Sequence, residues 1–117
     1  MAKKEPIFVH LDVNSEYSIG KSVIRIEDLL KKSLQFQMPA LGIADNNNLF
    51  AAFKFYKKAI EIGVKPIIGA TVSIRPGVSE RISKLILLCK NSTGYKNLSN
   101  LITRSYLEGY QKDKALV

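Results

Sequence analysis

The sequence predicts an α/β layered fold with mostly parallel strands, in the order βαβαββα. Two observations support this prediction. Short apolar or β-favouring segments alternate along the chain with longer segments whose apolar residues recur at helical spacing. The 117 residues also show no internal repeat, low-complexity tract or linker, so that they fit a single domain.

The first strand is predicted over residues 7–13, after a basic tail at 1–6 that we expect to be frayed. Apolar and polar residues alternate through FVHLDVN, and a period of two places His10, Asp12 and Asn14 on one side. Ligands collect at the carboxyl ends of strands in α/β folds, so this row indicates a polar site. An ordinary half-exposed edge strand is the alternative.

A second polar group follows the second predicted strand, at 40–44. This strand comes after a helix at 25–36, which ends before Met38-Pro39, and it leads into Asp45 and three asparagines. If the two strands run parallel, Asp45 and Asn46 share a rim with the first row. The helix is expected to bury the stripe Ile26, Leu29, Leu30 and Leu34.

The next helix is predicted over 48–62, with Asn48 as its N-cap and Gly63 as the residue that ends it. Its apolar residues recur at helical spacing, and such a stripe faces a core much more often than it forms a binding surface. The stripe consists of Leu49, Phe53, Tyr56 and Ile60.

The third and fourth strands are predicted at 65–75 and 81–90, separated by a turn at Pro76-Gly77. Gly69 permits close packing or a bulge within the third strand. The continuous apolar run LILLC in the fourth strand is typical of a strand buried on both faces.

The last helix is predicted over 92–108, capped by Asn91 or Ser92, and residues 111–117 are expected to be frayed. Its expected inward side chains are Tyr95, Leu98, Leu101, Ile102 and Tyr106.

Composition narrows the class of protein. There is no signal-peptide pattern and no apolar run long enough to cross a membrane, and the single cysteine, Cys89, fits a reducing cytoplasm as a buried structural thiol. The net charge of +8 favours a polyanionic partner, although the lysines are spread over three helices and can equally be solvated surface. No phosphate-binding loop, dinucleotide fingerprint or nucleophile elbow is present.

Four segments, HLDVNSEYS, MPALGIADNNNLF, GVKPIIGA and NSTGYKNL, occur in an order and spacing that resemble one family. This family is the N-terminal PHP (polymerase and histidinol phosphatase) domain of bacterial DNA polymerase III alpha subunits. The resemblance implies a distorted (β/α) barrel, of which residues 1–117 would form the N-terminal part. It also implies a site where histidines and carboxylates at strand ends hold divalent metals.

The resemblance identifies the positions of that metal site in this chain. The first histidine of the family's H-x-H-x-H motif is kept as His10, and the aspartate of its TDH motif is kept as Asp45. Asp12 stands at a histidine position and could still bind a metal. The remaining positions carry poor ligands: Asn14 and Asn46 at histidine positions, and Lys21 and Thr71 at acidic positions.

Lys21 argues most strongly against a metal, because an ammonium group has no lone pair to donate and repels a divalent ion. We therefore expect a degenerate site that binds no metal and no other cofactor, with no catalytic residue in this segment. The Lys21 side chain is expected to balance the charges of Asp12 and Asp45.

The resemblance implies a segment of a replicative polymerase that uses Mg²⁺, DNA and deoxynucleotides elsewhere in its chain. Its expected role is a scaffold that packs on the rest of the alpha chain and docks a proofreading exonuclease, and in isolation it is expected to self-associate. The alternatives are a metal-dependent PHP-type phosphoesterase or exonuclease, and a small basic nucleic-acid-binding module. Lysines clustered beside exposed aromatic rings would favour the latter, whereas here the aromatic residues are expected on inward-facing stripes.

Overall fold

The computed structural model describes residues 8–18, 22–75, 81–111 and 114–115. Its centre is a three-stranded sheet in the order β1-β2-β3. The strand β2 lies parallel to β1 and antiparallel to β3. The strands are β1 (Ala40–Asn46), β2 (Lys65–Ile74) and β3 (Ser83–Leu88).

Three helices and a small hairpin complete the described fold. The helices are α1 (Ile26–Gln35), α2 (Ala52–Ile62) and α3 (Ser92–Leu107), and the hairpin pairs β4 (Tyr110–Gln111) with β5 (Lys114–Ala115). This arrangement confirms the predicted α/β class. None of the described helices combines the length and the apolarity needed to cross a bilayer.

The predicted first strand is wrong as a regular element. Residues 8–13 run beside β1, but they form only an isolated parallel bridge between Val13 and Ile43. The Gly42 N–H donates to the His10 carbonyl and the Ala44 N–H to the Val13 carbonyl, at 2.7 and 2.9 Å. The two accepting residues, His10 and Val13, are three positions apart, whereas the two donating residues on β1, Gly42 and Ala44, are only two positions apart. The segment beside β1 therefore contains one extra residue, which interrupts the ladder as in a bulge. This irregularity also breaks the period of two on which the predicted polar row depended.

Glycine allows this stretch to lie directly on β1. A Cβ added at Gly42 would lie 2.7 Å from the Leu11 Cα and 2.8 Å from the Leu11 carbonyl oxygen. Both are backbone atoms, which cannot rotate away as a flexible side chain could. Gly69 is similarly tight, because its Cβ would collide with the Leu87 carbonyl oxygen across the β2–β3 pair.

The core lies in two clusters on the helix-covered parts of the sheet. The first combines α1, α2 and β1 around the fully buried Phe55, and the second packs Leu98 and Ile102 of α3 on Ala70 and Val72 of β2. Burial on α1 differs slightly from its predicted stripe, because Ser33 is buried and Leu34 is exposed. The buried Ser33 hydroxyl is satisfied by the Leu30 carbonyl at 2.7 Å.

The predicted inward stripe of α2 is wrong. The buried residues are Ala52, Phe55 and Ala59, whereas Phe53, Tyr56 and Ile60 are exposed. Phe55 and Ala59 pack into the first core cluster, and the small Ala52 is also buried. Three side chains of the predicted stripe therefore project outward, whereas the fourth, Leu49, lies before α2 and packs, partly buried, against the second core cluster.

The inward face of α3 is also only partly as predicted. Leu98 and Ile102 are buried, and the third buried position is Ser105. Tyr95 and Tyr106 are exposed. The Tyr106 hydroxyl donates to the Asn47 carbonyl at 2.9 Å, which links α3 to the turn after β1.

The fourth predicted strand forms as β3, but it is not buried on both faces. Its residues are exposed or half-buried, with Leu85 at 46% and Leu88 at 42% exposure. In the described part of the chain β3 pairs with β2 alone, and α3 packs mainly on β2. The apolar run therefore forms an uncovered sheet edge.

Two of the predicted helix boundaries are confirmed by cap geometry. Gly63 ends α2 in the left-handed region with φ 83°, and the Asn91 side chain accepts the Gly94 N–H at the start of α3. Asn48 does not cap α2, which begins four residues later. Its Oδ1 instead accepts the Phe50 N–H at 3.2 Å, closing a local turn.

Several predicted features fall wholly or partly outside the described residues. The basic tail at 1–6 and the turn at Pro76-Gly77 lie outside. Of the segment 111–117, Gln111 and Lys114–Ala115 are described and take part in a hairpin that contacts α3, and the expectation that the segment is frayed stays a prediction.

Candidate metal centre

A buried carboxylate lies at the carboxyl end of β1. Asp45 is only 2% exposed, and it is bound by the segment Ser15–Ser18, which we call the serine loop. The Ser15 N–H and the Ser18 hydroxyl donate to Oδ1, at 2.6 and 2.7 Å. The Ser15 hydroxyl donates to Oδ2 at 2.6 Å. Both carboxylate oxygens are thus occupied by protein donors.

The serine loop is itself held in place by the same hydroxyl groups. The Tyr17 N–H donates to the Ser15 hydroxyl oxygen at 3.1 Å, and the Asn46 N–H donates to the Ser18 hydroxyl oxygen at 3.0 Å. Each serine therefore both donates to Asp45 and accepts from the backbone. A buried carboxylate needs such donors, since hydrogen bonds to a charged group offset much of its desolvation.

The turn after β1 binds its neighbours through asparagine side chains and backbone groups. Asn48 Nδ2 donates to the Tyr17 carbonyl at 3.1 Å, which links the turn to the serine loop. Asn47 has φ 54°, and its Oδ1 accepts the Ser73 N–H at 3.2 Å. These contacts give Asn47 and Asn48 structural roles.

Two of the sequence-predicted positions carry incompletely satisfied amides. Asn14 Oδ1 and Asn46 Nδ2 are buried without a hydrogen-bond partner among the described residues. Thr71 lies opposite Asn46 in the parallel pair, and its hydroxyl donates to the Ala44 carbonyl at 3.2 Å. The threonine therefore serves the sheet backbone.

Among the described residues, His10 and Asp12 form no group of potential metal ligands with Asp45. Both are exposed, and the His10 ring packs edge-on against Phe8 with ring centroids 4.6 Å apart. Lys21 lies outside the described residues, so its predicted pairing with Asp12 and Asp45 stays a prediction. Asp12 is exposed and Asp45 is buried, and the shared rim predicted from the sequence stays a prediction.

The described side chains do not fit a divalent metal. Across 8–18, 22–75 and 81–111, no three His, Cys, Asp or Glu side chains come together as a potential cage. The lone pairs of Asp45 already accept protein hydrogen bonds, and Asn14 and Asn46 would contribute only weak amide ligands. The expectation of a site without metal stays a prediction, and the hydrogen bonds that Asp45 already accepts support it.

Sequence reasoning missed Ser15 and Ser18 as the partners of Asp45. Their spacing of three residues in SEYS, directly after the first predicted strand, was the available signal. A short hydroxyl side chain next to a turn often satisfies a nearby polar group. Only the fold shows that this group is a carboxylate 27 to 30 residues away.

Cys89 is no alternative reactive centre. The thiol is half-buried at the end of β3, and burial raises its pKa above the ordinary value. A raised pKa reduces the thiolate fraction at neutral pH, and the thiolate is the nucleophile. This agrees with the predicted structural role.

The fold and the position of Asp45 define this chain as a PHP domain segment. The family model described as PHP domain matches residues 10–117, and the chain belongs to this family. A structure titled as a putative metal-dependent phosphoesterase from Bifidobacterium adolescentis is similar with a TM-score of 0.56 at 10% identity, over 86% of this chain and 34% of that one. At this identity the likeness concerns the fold alone.

The curated relatives point to one kind of PHP protein. DNA polymerase III subunit alpha of Buchnera aphidicola subsp. Schizaphis graminum is 48% identical over 92% of this chain, and that of Buchnera aphidicola subsp. Acyrthosiphon pisum is 46% identical over 91%. The Vibrio cholerae protein of the same name is 38% identical over 97% of this chain. The chain spans 9 to 10% of the length of these relatives.

Proposed function

We propose that this chain is the N-terminal part of the PHP domain of a replicative DNA polymerase III alpha subunit, and that it acts as a non-catalytic scaffold. The family membership and the polymerase relatives support the parent protein. The Asp45 carboxylate supports the scaffold role, because both of its oxygens already accept hydrogen bonds from the serine loop.

The parent enzyme would carry out template-directed DNA synthesis with Mg²⁺, on DNA and deoxynucleotides, in the cytoplasm. In that setting the segment would pack against the rest of the alpha chain and provide a surface for the proofreading exonuclease. The uncovered apolar edge at β3 supports such packing, since an exposed apolar strand is normally covered by a neighbour.

The metal content of the purified chain tests the degenerate site. After exposure to Zn²⁺ or Mn²⁺ and dialysis, elemental analysis should find far less than one metal per chain. Hydrolysis of a phosphomonoester and of DNA 3′ ends should not exceed that of Asp45→Asn, the matched variant without the carboxylate. One metal per chain that is lost in Asp45→Asn would overturn the proposal in favour of a phosphoesterase.

A chimera tests the role in the parent enzyme. The matching segment of the Vibrio cholerae alpha subunit is replaced by this chain, and primer extension is compared with the parent and with a segment deletion. A scaffold should restore extension that the deletion loses, and Asp45→Asn in the chimera should lower thermal stability but not the extension rate of the folded enzyme. A folded chimera without extension activity would contradict the proposal.

A further inference from the structure

An exposed groove lies between α2 and the start of α3, on the β2 side of the sheet. Its volume is about 480 Å³, and we call it the aromatic groove. The residues that matter for its chemistry are Phe53, Tyr56, Ile68, Lys90, Tyr95 and Lys96. The groove is separate from the Asp45 site, whose carboxylate, serine loop and neighbouring amides are not among its lining residues.

Three aromatic rings of the groove face solvent. Phe53 is 77% exposed, Tyr56 53% and Tyr95 41%. Helix α2 places the first two rings three residues apart on one face, and Tyr95 approaches from the first turn of α3. Aromatic side chains usually contribute to a core, so rings that project together into a groove indicate a ligand with flat apolar faces.

The groove is positively charged. Lys90 and Lys96 line it, and none of its described lining residues is acidic. The exposed Lys54 and Lys57 follow the two α2 rings in sequence, and neither α2 nor α3 has an acidic residue in its first turn. The positive end of the α3 dipole opens at Ser92 and adds to the potential. The ligand is therefore expected to be anionic.

We propose that the aromatic groove binds single-stranded DNA, with bases stacked on the rings and phosphates near the lysines. Unpaired bases combine flat π-faces with a regularly charged backbone, and surfaces with rings beside lysines bind them with little sequence preference. An acidic peptide would complement the positive charge of the groove, but a typical acidic peptide has too few flat rings to stack on each of its aromatic side chains. The choice of DNA over RNA rests on the proposed function.

Fluorescence anisotropy with a labelled oligothymidylate of about 12 nucleotides, a length typical of single-strand sites, tests the proposal on the 117-residue chain. At physiological salt we expect a dissociation constant between about 1 and 100 µM. A duplex of equal length should bind more weakly, because its bases are not free to stack.

Two variants separate stacking from charge. Phe53→Ala with Tyr56→Ala should weaken binding about tenfold or more at unchanged salt dependence, since stacking contributes strongly for each base. Lys96→Gln should instead reduce the slope of log affinity against log salt by about 0.7. The matched controls are Phe36→Ala and Lys32→Gln, which change an exposed ring and an exposed lysine outside the groove. Circular dichroism confirms that each variant is folded.

Three results would overturn the proposal. These are no binding at about 100 µM in low salt, equal losses in the groove and control variants, or groove-dependent binding of oligouridylate or an acidic aromatic peptide without binding of the DNA. None of them would affect the proposed scaffold function, which is tested by metal content and by the chimera.

Discussion

Asp45→Asn is the substitution that most directly tests whether the serine loop is held by the Asp45 carboxylate. The substitution keeps the size and shape of the side chain but replaces one acceptor oxygen by an NH₂ group and removes the negative charge. In the wild-type protein the two oxygens accept three hydrogen bonds, from the Ser15 N–H and from both serine hydroxyls.

The magnitude follows from these contacts. In Asp45→Asn the Ser15 hydroxyl would face the new NH₂ group, so it must accept a hydrogen bond instead of donating one. The two hydrogen bonds to the remaining oxygen, from the Ser15 N–H and the Ser18 hydroxyl, would no longer involve a charged acceptor. A hydrogen bond to a charged group contributes about 1.5–3 kcal/mol and a neutral one about 0.5–1.5 kcal/mol. Because one hydrogen bond exchanges its donor and acceptor and two lose their charged acceptor, we expect the free energy of unfolding to fall by about 2–4 kcal/mol. This is a large share of a typical total of about 5–15 kcal/mol.

Urea denaturation followed by circular dichroism measures this change. Asp12→Asn is the matched control, because Asp12 is exposed, and it should cost less than about 0.5 kcal/mol. Ser18→Ala should be destabilising alone, and its effect should be smaller in the Asp45→Asn background, with a coupling above about 0.5 kcal/mol. If Asp45→Asn were as stable as Asp12→Asn, or if the two effects simply added, the serine loop would not be bound to Asp45 as described.

Three further predictions concern other parts of the fold. Gly42→Ala should lower the free energy of unfolding by about 1–3 kcal/mol, measured by urea denaturation, because the added Cβ meets the Leu11 backbone; an unchanged midpoint would contradict the close approach. Alkylation of Cys89 in the folded chain should rise with pH over a higher range than in urea, since burial raises the pKa of its thiol, and coincident pH profiles would refute this. Self-association, followed by sedimentation, should decrease in Leu85→Lys with Leu88→Lys, which places charges on the exposed edge of β3, and equal self-association would exclude that edge.

The sequence by itself determined the α/β class and the helix boundaries that depend on local chemistry. Gly63 ends α2 because a residue without Cβ tolerates φ 83°, and Asn91 caps α3 because its short side chain reaches a free N–H. It also marked Asp45 as a special position. These features depend on a few neighbouring residues, so local sequence is sufficient.

Only the tertiary structure decided which faces are buried and what surrounds Asp45. Periodicity finds an apolar stripe but not its direction, and on α2 the small Ala52 and Ala59 turned that stripe toward solvent. The partners of Asp45 lie about 30 residues away, and one extra residue beside β1 interrupts the pairing on which the predicted polar row depended. Such outcomes depend on how closely elements approach in space, which residue spacing along the chain does not specify.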